Sequence, residues 1–192
     1  LKIVLCYRLV DDGLTVTTEV SNIGAGRAPF GYGSHPYVNI GGGALSGVRL
    51  RVPADRYVMV DERLLPTGTA DVTGAADVTG AADVTGAAYD FRQDRPVGET
   101  DLNTAFTDLR RDADGRWRVT LEGLSDLPVV TVWGDESFGW TQVYTGKAMA
   151  DGEHGIAVEP MTCPPDACNS GTDLLRLDPG QAWSGTWGIA LG

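Results

Sequence analysis

The sequence predicts an all-β protein built as a large antiparallel sandwich, and three observations carry that expectation. Short apolar runs of strand composition recur along the chain, turns rich in Gly, Pro and Asp separate them, and helical periodicity is nearly absent. With 26 glycines among 192 residues and 42% hydrophobic residues, the composition fits many turns around a sizeable core. No stretch reads as a linker, so residues 1–192 are expected to form one domain.

The elements follow in order. Leu1 to Val10 and Leu14 to Val20 flank Asp11-Asp12-Gly13, a hairpin turn. Val48 to Val52, Tyr57 to Val60, Trp117 to Glu122, Val129 to Trp133 and Thr141 to Thr145 carry further strand patterns. Ile156 to Glu159, Asp173 to Leu177 and Trp183 to Ala190 complete the set, with Asp178-Pro179-Gly180 as the turn between the last two. Only Asn103 to Arg111 reads as a turn or two of helix. A six-residue repeat starts at Thr67-Gly-Thr-Ala-Asp-Val72, recurs from Thr73 and Thr79, and opens a fourth unit at Thr85. Three to four such units make about one coil of a solenoid, too little to bury a core, so residues 67–88 are expected to be a lengthened surface loop.

Charge and cysteine usage narrow the partners. A net charge of −11 argues against nucleic acid and anionic membranes, both of which need clustered Lys and Arg. Apolar runs of a few residues are far short of the ~20 needed to span a bilayer. Three cysteines, two of them in Cys163-Pro-Pro-Asp-Ala-Cys168, form no metal framework and read as free thiols of a reducing, cytoplasmic compartment. No metal and no cofactor is expected. The chain opens at Leu1 directly into a strand pattern, so its true start is expected to lie upstream.

Two segments carry candidate chemistry. In Pro29-Phe-Gly-Tyr-Gly-Ser-His-Pro-Tyr37, Gly31 and Gly33 offer backbone freedom and Pro36 drives His35 toward extended geometry. An imidazole flanked by Tyr32 and Tyr37 is thereby offered to a small ligand, although a lone histidine also serves as a structural hydrogen-bonder. In Ile156-Ala-Val-Glu-Pro-Met-Thr162, an apolar strand runs into Glu159, and Pro160 is expected to stop the pairing. Burial at such a strand end would suit Glu159 to general-base work; a solvated strand-end glutamate is the equal alternative. His154, in a polar turn-rich stretch, reads as an exposed loop residue.

Together the two segments resemble the G-x-H-P-Y and E-P-M-T motifs of the aldose 1-epimerases, or galactose mutarotases. The resemblance continues in order through Leu65-Pro-Thr-Gly68, Tyr89-Asp-Phe-Arg92, Thr104-Ala-Phe-Thr107, Gln142-Val-Tyr-Thr-Gly146, Pro165-Asp-Ala167 and Trp187-Gly-Ile189. It implies a mutarotase-type sandwich, a monosaccharide such as glucose or galactose as partner, and cofactor-free interconversion of α and β anomers. By the same similarity Glu159 is the general base at the anomeric hydroxyl and His35 the general acid at the ring oxygen, with Tyr37, Asn103 and Gln142 as substrate-binding residues. Asn103 stands where the family usually has an aspartate. A second histidine and an arginine, which the family carries upstream of G-x-H-P-Y, have no counterpart, so the chain is expected to be an N-terminally incomplete and impaired mutarotase. The competing readings are a hexose-6-phosphate epimerase using Arg49, Arg51, Arg92 or Arg95, a non-catalytic sugar-binding sandwich with Trp133 or Trp140 as platform, and a glycosidase using Asp135 or Asp166.

Overall fold

Alternating burial along nearly every strand produces two sheets that close on one another. The computed structural model describes residues 1–39, 44–74, 88–123, 128–146 and 155–192. Strands β1 (Lys2–Val10) and β2 (Gly13–Ser21) form the expected hairpin, with Val10 opposite Gly13 and Gly13 at φ 129°. Next come β3 (Ala28–Phe30), β4 (Tyr37–Asn39), a 3₁₀ turn at Leu45–Gly47, β5 (Arg49–Arg51), β6 (Ala54–Val60), β7 (Pro66–Asp71) and β8 (Arg95–Pro96). They are followed by β9 (Asn103–Leu109), β10 (Trp117–Glu122), β11 (Val130–Gly134), β12 (Trp140–Tyr144) and β13 (Gly155–Met161). A short helix α1 (Ala167–Ser170), β14 (Leu175–Leu177) and β15 (Ala182–Leu191) complete the order.

Among the described residues one sheet has seven strands in the order β1-β2-β15-β11-β10-β5-β8, the other six in the order β4-β13-β12-β9-β6-β7, and β14 pairs with β3. All the pairings are antiparallel, as the turn-punctuated sequence requires. Between the large sheets lies a core to which the seven-stranded sheet contributes Val16, Leu50, Trp117, Val119, Leu121, Val132 and Trp187. The six-stranded sheet meets it with Val38, Tyr57, Phe106, Val143, Ile156 and Val158. Trp117 is fully buried, and its indole N–H donates to the Phe138 carbonyl at 2.9 Å. The Asp178–Gln181 turn is held by Gln181 N–H on the Asp178 carbonyl, and Gly180 N–H reaches the carbonyl of buried Asn22.

Three expectations are corrected. Asn103 to Arg111 is not helical: Asn103–Leu109 is strand β9, paired with β12 on one side and β6 on the other. Weak local helix character yields to two full ladders of pairing and to burial of Phe106. Pro160 does not stop pairing, because β13 runs through it to Met161. The first hexapeptide unit is not loop: Pro66–Asp71 is β7, the edge strand beside β6, and Val72 is buried in the core. Later units of the repeat, from residue 75 to 87, fall outside the described residues, as does His154.

Candidate active site

The site lies on the outer face of the six-stranded sheet. Strand alternation sends Val38, Ile156, Val158, Val143 and Phe106 inward. It leaves Tyr37, Glu159, Gln142, Tyr144 and Asn103 on the opposite face. Register makes them neighbours: Glu159 is opposite Gln142, Tyr144 opposite Asn103, and Ala157 lies between Tyr37 and Tyr144. Residues separated by 124 positions, His35 and Glu159, come together because the segment from Tyr32 to Val38 runs antiparallel along β13. Thr162 N–H donates to the Tyr32 carbonyl at 2.9 Å, Ser34 N–H to Pro160 O at 3.2 Å, and Val158 N–H to Pro36 O at 3.2 Å. Pro160 thus forfeits one donor on the side facing Ser34 while its carbonyl still accepts, which is why a proline fits inside this strand.

His35 Nε2 lies 3.2 Å from Glu159 Oε1. The two differ in solvation, since the His35 side chain is 50% exposed and that of Glu159 only 14%. Burial pushes the Glu159 carboxyl above the ordinary glutamate range, and the adjacent imidazolium charge offsets part of that rise. Tyr37 stacks on the His35 ring at 4.9 Å and 24°, while Tyr144 meets it edge-on at 6.4 Å and 84°. The imidazole is therefore fixed by a carboxylate, a ring face and a ring edge. Gln142 Nε2 donates to Asn103 Oδ1 at 2.7 Å, so the amide pair continues the polar surface away from Glu159.

The five expected residues His35, Tyr37, Asn103, Gln142 and Glu159 therefore share one face. Tyr144 was not singled out; its spacing of two from Gln142 within a strand was the signal that could have found it. Gly31 and Gly33 act differently from expectation, as neither takes a positive φ. A Cβ at Gly31 would sit 2.7 Å from Cys163 Sγ, so glycine there makes room for the thiol. Cys163 is a free thiol, raised above its ordinary range mainly by burial. Among the described residues no cluster of three or more metal-ligating side chains occurs, and no helix is long and apolar enough to cross a membrane.

The sequence profile described as aldose 1-epimerase matches residues 1–190. The chain belongs to the aldose 1-epimerase family. Its curated relative, the uncharacterized protein YihR of Escherichia coli K12, is 32% identical over 169 residues, which cover 88% of this chain and 48% of the relative. The chain thus spans about half the length of the curated relative it matches. The fold is that of a putative aldose 1-epimerase from E. coli K12, with TM-score 0.73, 22% identity and coverage of 99% of this chain and 60% of that one. A GalM/aldose epimerase homologue from C. elegans gives a TM-score of 0.74 at 18% identity, over 97% and 59% of the two chains. Galactose 1-epimerase from Lactobacillus acidophilus gives 0.70 at 23% identity, over 99% and 57%.

Proposed function

We propose that this aldose epimerase family site interconverts the α and β anomers of a free aldose by acid–base ring opening. The observation that carries the proposal is the 3.2 Å approach of His35 Nε2 to the largely buried Glu159 carboxylate. Ring opening requires one proton to leave the anomeric hydroxyl and one to reach the ring oxygen, each within hydrogen-bond distance of its partner group. Glu159 takes the proton from O1 as protonated His35 delivers one to O5. The C1–O5 bond breaks, its electron pair leaves with O5, and the carbonyl forms at C1. Rotation about C1–C2 presents the other carbonyl face. Closure then runs the two transfers backwards, returning a proton to O1 from Glu159 and one from O5 to His35.

Burial supports this division of roles, because a carboxylate stripped of water is a stronger base than a solvated one. The imidazole, more exposed, is the group that exchanges protons with solvent. Tyr37 holds its plane, while Gln142 and Asn103 offer amide groups to sugar hydroxyls. A 6-phosphate substrate finds less support. Arg49 binds Asp94, Arg92 binds Asp90 and Asp55, and Arg95 donates to the carbonyls of Asp90 and Ala88. The glycosidase reading is also weaker, since Asp135 accepts the backbone N–H groups of Thr186 and Ser137. As platforms, both tryptophans are poor: Trp133 lies under Arg116, and Trp140 is buried with its N–H on Asp173. Polarimetry of freshly dissolved α-D-glucose and α-D-galactose tests the proposal. For a chain read as impaired, a rate only slightly above that of buffer is expected, and it should disappear in His35→Asn and Glu159→Gln; turnover that persists in both variants refutes these roles.

A further inference from the structure

Away from the reactive pair, two thiols and two guanidinium groups gather around the small sheet of β3 and β14. In that pairing Arg176 stands opposite Pro29 and Leu177 opposite Ala28, the residue next to Arg27. Arg27, Pro29, Cys168, Leu174 and Arg176 line a cavity of about 280 Å³, and no acidic side chain belongs to its wall. Arg27 Nε lies 3.4 Å from the exposed Asp178 carboxylate, a surface contact that another anion can replace at little cost. Cys168, on α1, is an exposed free thiol.

Cys163 is the sheltered member of the pair. A Cβ at Gly31 would sit 2.7 Å from Cys163 Sγ and 3.8 Å from Leu174 Cδ1, so Leu174 borders both Cys163 and the cavity of Cys168. A turn at Pro165-Asp166, with Asp166 at φ 62°, separates the two cysteines along the chain. Burial raises the Cys163 thiol, the Thr162 side chain offsets part of the rise, and negative charge on Cys168 and Asp173 adds to it. In thiol exchange the accessible sulfur meets the reagent first, and a sheltered neighbour completes the reaction within the chain. The two arginines beside Cys168 suit a reagent that carries carboxylates.

We propose that Cys168 and Cys163 form a thiol–disulfide exchange site for a low-molecular-weight, carboxylate-bearing disulfide such as oxidised glutathione. The Cys168 thiolate attacks one sulfur of the reagent, whose S–S bond breaks; one half departs as a thiolate and the other stays in a mixed disulfide with Cys168. Cys163 gives up its proton and attacks Cys168 Sγ, expelling the second half. The two protein thiols are oxidised to a disulfide and the reagent takes up two electrons. The two protons that the protein loses appear on the released thiols.

Mass spectrometry of the purified chain at neutral pH tests this, in a Cys6→Ser background that removes the exposed thiol on β1. Oxidised glutathione should give a product two hydrogens lighter, with Cys163 and Cys168 both closed to alkylation. Cys163→Ser should stop at a glutathione adduct on Cys168, whereas Cys168→Ser should react about tenfold more slowly. Replacing both arginines, Arg27→Gln and Arg176→Gln, should slow oxidised glutathione about tenfold and leave neutral hydroxyethyl disulfide unchanged. A stable adduct on Cys168 with Cys163 present would overturn the pairing of the two thiols. An arginine double variant that treats both reagents as the parent does, or slows both equally, would overturn the assignment of an anionic reagent. None of these readouts depends on the His35–Glu159 pair.

Discussion

Replacing Glu159 by glutamine should move activity and stability in opposite directions. The carboxyl is nearly enclosed, with 14% of its side chain exposed, and its folded-state titration is displaced upward from the ordinary value of 4.5 chiefly by burial. In the window between the unfolded and folded values the native state holds more protons than the unfolded chain. Stability therefore falls as pH rises through that window, and the loss persists at higher pH. Glutamine keeps the size and one acceptor facing His35 but carries no charge to desolvate. At pH 7 the variant should gain about 0.5–2 kcal/mol. At ~2–4 °C per kcal/mol for a chain of this size, that is a rise in Tm of a few degrees. Near pH 4, where the wild-type carboxyl is mostly protonated in both states, the gain should vanish. Meanwhile loss of a general base costs about 10²–10⁴ in rate. Calorimetry at the two pH values, beside polarimetry, reads both effects. A lower Tm at pH 7, or an equal shift at both pH values, would refute the claim that burial outweighs the His35 attraction.

Other perturbations probe separate parts of the architecture. Tyr37→Ala removes the ring stacked on His35 and should slow anomer exchange about two- to twelvefold, matching ~0.5–1.5 kcal/mol for an aromatic pair, whereas Tyr37→Phe should keep most of the rate. The pH–rate profiles of both variants then separate positioning of the imidazole from a general loss of fold. Gly134→Ala would place a Cβ 2.5 Å from Trp117 Cζ2 in the core, and denaturant melts should show a loss of about 1–3 kcal/mol. Strand β1 is exposed along its nine residues, with Leu9 80% and Tyr7 66% accessible at the edge of the seven-stranded sheet. Leu9→Lys should reduce concentration-dependent association in sedimentation velocity, and an unchanged profile would show that this edge does not drive it.

Much of the fold was legible because its signals are local. The hairpin at Asp11–Gly13, the turn at Asp178–Gly180 and most inward-facing strands follow from turn chemistry and two-residue alternation. Where reading failed, the deciding contacts were distant in sequence. β9 is a strand because β6 and β12 flank it, and β7 pairs with β6 out of a repeat that carries no pairing information of its own. Gly31 is set by a thiol 132 residues away, which no local rule for glycine reveals.

The motifs around His35 and Glu159 fixed the family and the kinds of side chain at work, since residue identity and spacing are properties of the chain itself. Tertiary structure decided which of those groups meet. Antiparallel pairing of the Tyr32–Val38 segment with β13 sets the 3.2 Å His35–Glu159 contact, and register across β9, β12 and β13 aligns Asn103, Gln142 and Tyr144 beside it. Burial of Glu159 likewise exists only once the Tyr32–Val38 segment and β12 lie beside β13, because desolvation is produced by neighbours that the local sequence does not specify.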